Sequence, residues 1–176
     1  MPRLFTVNNL GIAVASLPTV YLVTGLATIF VGPLVGRAAD AFGKLRVFYV
    51  GTTLTIIMVL VHTHLTASTL IVVTVINVVL FIGIFSRMIP FQALMSQVPA
   101  LTQRGSFNAI NASISQLAGG LASLVAGHIV AQGADGKIHH YEVAGYVVVA
   151  TSLLTCLLLW RVQRGLVAPA VAAPAN

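Results

Sequence analysis

Residues 32–46 read Gly-Pro-Leu-Val-Gly-Arg-Ala-Ala-Asp-Ala-Phe-Gly-Lys-Leu-Arg. The stretch closes one long apolar run and opens the next. It holds four of the twelve charged side chains (nine basic, three acidic): Arg37, Asp40, Lys44 and Arg46. Around it the chain is lipid-compatible. Of 176 residues, 58% are hydrophobic and 7% charged, with a mean hydropathy of +1.00. A soluble domain carries about 25% charged residues, so a water-facing surface cannot be built from this composition. The net charge of +6 would point to nucleic acid in a soluble protein. Here the basic residues fall between apolar runs, which fits orientation in a bilayer and no nucleic-acid partner.

On the N-terminal side, Leu17 to Arg37 is long enough to span, since crossing the hydrocarbon takes about 20 apolar residues. Gly32 and Gly36 within it have the spacing that permits close helix approach, and Pro33 is expected to kink the helix or loosen its end. Residues 1–16 are mildly apolar and too short to span, and show no signal-peptide pattern. On the C-terminal side, four further spans are expected at about 47–65, 70–95, 107–132 and 143–160. The third is interrupted by Arg87 and Pro90. The fourth is the most polar and repeats small residues, Ala118, Ala122 and Ala126 beside Gly119, Ser123 and Gly127, suited to tight helix packing. Residues 133–142 form a turn-rich connection. The fifth span ends at Trp160 with Arg161 and Arg164 beyond it, and the Ala/Pro-rich tail 165–176 is expected to be disordered. Cys156 is the single cysteine and forms no intrachain disulfide; packing is its simplest role.

Five spans place the two ends on opposite sides. If the loop around Asp40 is cytoplasmic, Arg37, Lys44, Arg46, Arg104, Arg161 and Arg164 are inside, while Arg3 and Lys137 are outside. The excess of basic residues inside supports this orientation and a multi-pass protein of the cell (inner) membrane.

The pattern Gly36-x-x-x-Asp40-x-x-Gly43-Lys44-x-Arg46 resembles the loop signature of the major facilitator superfamily, which joins the second and third helices of each six-helix half. Two positions depart from it: Ala41 replaces the arginine after the aspartate, and Leu45 takes one basic position. Arg104-Gly105, followed by Asn108, Asn111, Gln116, Gly119 and Gly120, resembles the fifth helix of a half. The segment from Asn8 to Asp40 is similar to bacterial sugar- and drug-efflux members. The resemblance implies an all-α membrane protein whose five spans correspond to helices 8–12 of a twelve-helix fold, with residues 1–16 a remnant of helix 7 and its loop. It also implies, as partners, the bilayer, a small-molecule substrate and a missing N-terminal half. The superfamily's halves are three-plus-three inverted repeats, so five spans are one short.

For the loop, the resemblance implies that Gly36, Arg37, Asp40, Gly43, Lys44 and Arg46 gate the cytoplasmic side. Taken alone, Asp40 is a carboxylate near a helix N-terminus, stabilised by the dipole and free N–H groups. The plainer alternatives are a solvated acid paired with its basic neighbours and a basic turn that only sets topology. A phosphate-binding loop is excluded, because Leu45 stands where Ser or Thr is needed. Arg87 is the one charge well inside a span and is a functional candidate for that reason; it resembles the fourth-helix arginine, although Pro90 and Phe91 replace the glycine pattern after it. Snorkelling to the head groups is its alternative.

Polar residues mark the cavity candidates. Tyr21, Thr24 and Thr28 fall on one helix face, as do Asn108, Asn111 and Ser115; the third span adds Asn77 and Gln92. The topology implied by the resemblance turns the first, third and fourth spans to a central cavity and the second and fifth to lipid. For any one residue the alternative is an interhelical hydrogen bond. His62, His64, His128, His139 and His140 gather toward the outer side without a ligand spacing. No nucleophile–base pair and no phosphate cradle stand out, so neither an enzyme, a cofactor nor a metal is expected. The reading is part of a secondary active transporter moving a small solute by alternating access, with proton-coupled efflux (an antiporter) implied by the resemblance. Two alternatives stay open: a truncated, non-transporting membrane fragment, and a half-transporter that works as a dimer.

Overall fold

A computed structural model describes residues 6–7, 10, 12–65, 68–97, 99–132 and 138–171. Five helices follow one another: α1 (Leu17–Phe42), α2 (Lys44–Thr63), α3 (Leu70–Met95), α4 (Arg104–Ile129) and α5 (Tyr141–Val171). Short 3₁₀ turns, Val14–Ser16 and Leu101–Gln103, lead into α1 and α4. Each helix holds a window apolar and long enough to cross a membrane. At 1.5 Å per residue, the 20 residues of α2 run about 30 Å and the 26 of α1 about 39 Å, which matches or exceeds the hydrocarbon thickness.

The helix bounds depart from the sequence reading at informative places. α1 does not end at Arg37. Ala38, Ala39 and Ala41 are the best helix formers and carry it on to Phe42, so the expected loop shrinks to one residue. Gly43 has φ 93° and ψ 134°, a conformation closed to most L-residues, and α2 starts at the next position. Pro33 and Pro90 both lie inside continuous helices, and Pro90 is fully buried. α4 starts at Arg104 and stops at Ile129, where two-residue strands, β1 (Ala131–Gln132) and β2 (Ile138–His139), pair antiparallel. Residues 165–171, expected in a disordered tail, continue the backbone of α5; 172–176 lie outside the described residues.

The bundle is built on α2 and α3. Gly51 and Gly83 let their backbones meet: a methyl group on Gly51 would stand 2.6 Å from the Ser86 carbonyl carbon, and one on Gly83 would stand 2.8 Å from Thr55 Oγ1. α1 lies against α3 and α2, and α5 lies against α2, where Gly145 admits the Thr63 side chain. Buried hydroxyls in this packing are satisfied locally. Thr24, Thr52 and Thr55 each donate to the carbonyl four residues earlier, at 2.7–2.8 Å, which is how a hydroxyl enters an apolar interior at little cost. At the end of the bundle opposite Gly43, Leu10, Ile12, Val73 and Val130 form a cluster covered by Tyr141 and Ala144. The residues ahead of α1 therefore plug that end.

Elsewhere the large apolar side chains face outward, as in Phe30 and Leu34 on α1, Ile71 on α3 and Leu157 on α5. Such a surface is stable only in lipid. α4 differs from its neighbours. It has no buried residue, its main contact is with α5, and a methyl group on Gly119, Gly120 or Gly127 would meet nothing within 4 Å. Among the described residues nothing occupies the small-residue ridge expected to pack tightly, nor Gly32 and Gly36.

Candidate functional site

The expected gating residues fall on a helical joint. Gly36, Arg37 and Asp40 belong to the last turns of α1, Gly43 is the joint, and Lys44 and Arg46 open α2. Asp40, Lys44, Arg46, Tyr49 and Leu94 line one open concavity of about 920 Å³. Leu94 brings the end of α3 against it. Asp40 is thus not at the start of a helix but in the final turn of one, facing the first turn of the next. The charges run against the dipoles of their own helices, an acid at a C-terminal end and two cations at an N-terminal end, each worth a few tenths to 1 kcal/mol in the wrong direction. Among the described residues no ion pair joins Asp40 to Arg37, Lys44 or Arg46. Helix stability therefore does not account for this charge pattern. Tyr49 brings a hydroxyl that is buried and without a hydrogen-bond partner among the described residues.

The cavity candidates divide into two groups. Gln92 on α3 meets Asn108, Asn111, Ser115 and Gln116 of α4 around a cleft of about 550 Å³, together with Met95 and Ser96. Four of the nine residues expected on a cavity converge here. The cleft opens on the Gly43 side, where α3 ends and α4 begins. Tyr21 and Asn77 line a second space of about 370 Å³ at the opposite end, between α1, α2, α3 and α5. Asn77 also donates to the Val73 carbonyl at 3.0 Å.

Thr24 and Thr28 line neither. Thr24 is buried with its hydroxyl on the Val20 carbonyl, and Thr28 donates to the Gly25 carbonyl at 2.7 Å. Arg87 also turns away from both. Its Nη1 donates to Ser152 Oγ on α5 at 3.0 Å, in a groove lined by Phe48, Ile84, Met88, Phe91 and Thr155.

The second space adds residues that the sequence reading had placed only in a loose histidine group. His62 is 6% exposed and lines this space beside Tyr141, ring centroids 6.1 Å apart. Two residues on, His64 Nε2 lies 3.0 Å from the Tyr146 hydroxyl and its Nδ1 2.9 Å from the Leu60 carbonyl. A carbonyl only accepts, so Nδ1 carries the proton and Nε2 accepts from tyrosine. The two His–Tyr contacts fasten the end of α2 to the start of α5. His128 caps the Leu124 carbonyl of its own helix at 3.0 Å. Among the described residues no three His, Cys, Asp or Glu side chains converge. The tyrosines at 141 and 146, five residues apart after the hairpin, were the legible sign that the histidines have partners.

Five apolar spans, buried hydroxyls satisfied within their own helices and an outward apolar surface define a multi-pass, all-α membrane protein. The family description Major Facilitator Superfamily matches residues 1–174, nearly the whole chain, and the chain belongs to that superfamily of transporters. No curated protein and no solved structure matches it.

Proposed function

We propose that the chain forms the C-terminal half of a secondary active transporter, moving a small solute by alternating access and exporting it in exchange for protons. The polar cleft of Gln92, Asn108, Asn111 and Ser115 carries this reading. It lies beside α4, a span with no buried residue, so its polar face is free to meet a solute on one side and a second helical half on the other. Binding between two repeats is the design this architecture serves. In this reading the Gly43 end faces the cytoplasm, and the concavity holding Asp40 closes against the other half in the outward-open state.

Reconstitution in liposomes tests it. With a complementary N-terminal half present, a pH gradient drives saturable flux of a solute drawn from a sugar and lipophilic-cation panel, and Gln92→Ala or Asn111→Ala weakens that flux. The chain by itself gives none. Gradient-driven flux from the chain alone would overturn this reading in favour of assembly from two copies.

A further inference from the structure

Arg87 raises a question that the transport cleft does not answer. A guanidinium has five N–H donors and keeps its charge at any accessible pH. It lies eight residues before the end of α3 at Met95, about 12 Å along the helix axis, within the apolar layer. There it is half-buried, and among the described residues its bond is a single one, to the neutral hydroxyl of Ser152. Ser152 is 2% exposed, so this contact pins the head of Arg87 to α5 and does not neutralise it.

Among the described residues no carboxylate faces Arg87. α2 and α3 contain no Asp or Glu, and the acid of α5 is Glu142 in its first turn, at the opposite end. Asp40 belongs to the separate concavity at the α1–α2 joint. A charge in the apolar layer without a counter-charge is costly and is normally paired. Among the described residues nothing supplies the compensating anion.

The surroundings say what kind of anion. The space beside Arg87 is about 350 Å³ and lined by Phe48, Ile84, Met88, Phe91 and Thr155. Thr155 already donates to the Thr151 carbonyl, and Phe48 and Phe91 are in ring contact at 6.2 Å. The groove thus has one cationic pole and otherwise apolar walls. It is open beside Met88, which is 52% exposed, and it stands apart from the polar cleft of α3 and α4. A free hydrophilic anion would leave the walls unused, and a neutral lipid would leave the charge unpaired.

We propose that this groove holds the head of an anionic membrane amphiphile, its carboxylate or phosphate paired with Arg87 and the start of its acyl chain on Met88 and Phe91. The planar fork of arginine suits two-point pairing with either oxyanion. Because Arg87 joins α3 to α5 through Ser152, the bound anion also tightens that contact.

Thermal unfolding of the purified chain in neutral detergent tests the site with four additives: oleate, methyl oleate, dioleoyl phosphatidylglycerol and dioleoyl phosphatidylcholine. Oleate, phosphatidylglycerol or both are expected to raise the midpoint saturably, by about 5 °C or more at a hundredfold excess over Kd. The uncharged ester and the zwitterionic lipid are expected to leave it in place. Stabilisation by oleate alone assigns a fatty acid, and by phosphatidylglycerol alone an acidic phospholipid. Arg87→Gln should abolish the shift, and Arg161→Gln, at the end of the apolar window of α5, should keep it. Should Arg87→Gln not fold, Thr155→Phe fills the groove with Arg87 intact and should abolish the shift as well. A shift produced equally by methyl oleate, retained in Arg87→Gln or Thr155→Phe, or absent with both anions would overturn the proposal.

Discussion

Asp40 is the residue on which the proposed gate most directly depends. Its carboxylate sits at the unfavourable end of α1 and shares a concavity with Lys44 and Arg46 of α2. A group held there against its own helix dipole is available to a partner that approaches and withdraws. Coupling to protons needs something else, a titrating group on the solute's path. Among the described spans the acids are Asp40 and Glu142, both at helix ends, and neither lines the polar cleft. In the complete transporter, Asp40→Asn is therefore expected to slow conformational switching roughly tenfold, the size of one allosteric contact. Substrate-induced proton release, followed in detergent at several pH values, should persist. Release abolished with substrate affinity unchanged would make Asp40 the coupling site itself.

At the scale of helices, the seam between α2 and α3 is where a single atom decides most. Gly51→Ala places a methyl 2.6 Å from backbone of α3, which cannot yield as a flexible side chain would. Overpacking of this kind costs about 1–3 kcal/mol, seen as a fall in the thermal midpoint. Gly32→Ala meets nothing within 4 Å and replaces glycine with the best helix former, so its midpoint should hold or rise. Equal losses in the two variants would contradict the seam.

The contrast also shows what can be read from sequence. The number of spans and the place of the joint were legible, because apolar length and charge placement are local properties. Which glycines matter was not. Gly32 and Gly36 have the favourable spacing, while Gly51 and Gly83 are single glycines in different helices, and their meeting is set by tertiary packing. In the same way, Gln92 and Asn111 were identified as polar residues on plausible faces and do share a cleft. Arg87 was identified too, as a cavity candidate; its contact with Ser152 on α5 was not legible, because a long side chain can reach either flank of its helix. For Thr24, sequence alone does not separate the two readings, because a hydroxyl satisfied by its own helix looks like one offered to a ligand.

For the molecule as a whole, the orientation proposed above puts the joint and the α3–α4 connection in the cytoplasm and the β1–β2 hairpin outside. Single cysteines placed at 43 and 136 in a Cys156→Ala background should react with a membrane-impermeant maleimide from opposite sides, position 136 from outside. Reaction of position 136 from the cytoplasm alone would invert the orientation and the proposed gate with it.

The unburied state of α4 bears finally on how the protein is made. Its apolar window has the lowest mean hydropathy of the five, 1.3 against 1.7–2.3, and it carries two asparagines, a glutamine and several serines. Partition from the translocon depends on such sums, in which polar residues near the centre weigh heavily. α4 leaves the ribosome with little apolar driving force and no finished groove to enter. The pairing of β1 with β2 then brings α5 in behind it, and the two are expected to enter the bilayer as one antiparallel unit, the more apolar helix drawing in the less. The residue pattern that leaves α4 unburied is thus expected to make its insertion a joint event with the helix synthesised after it.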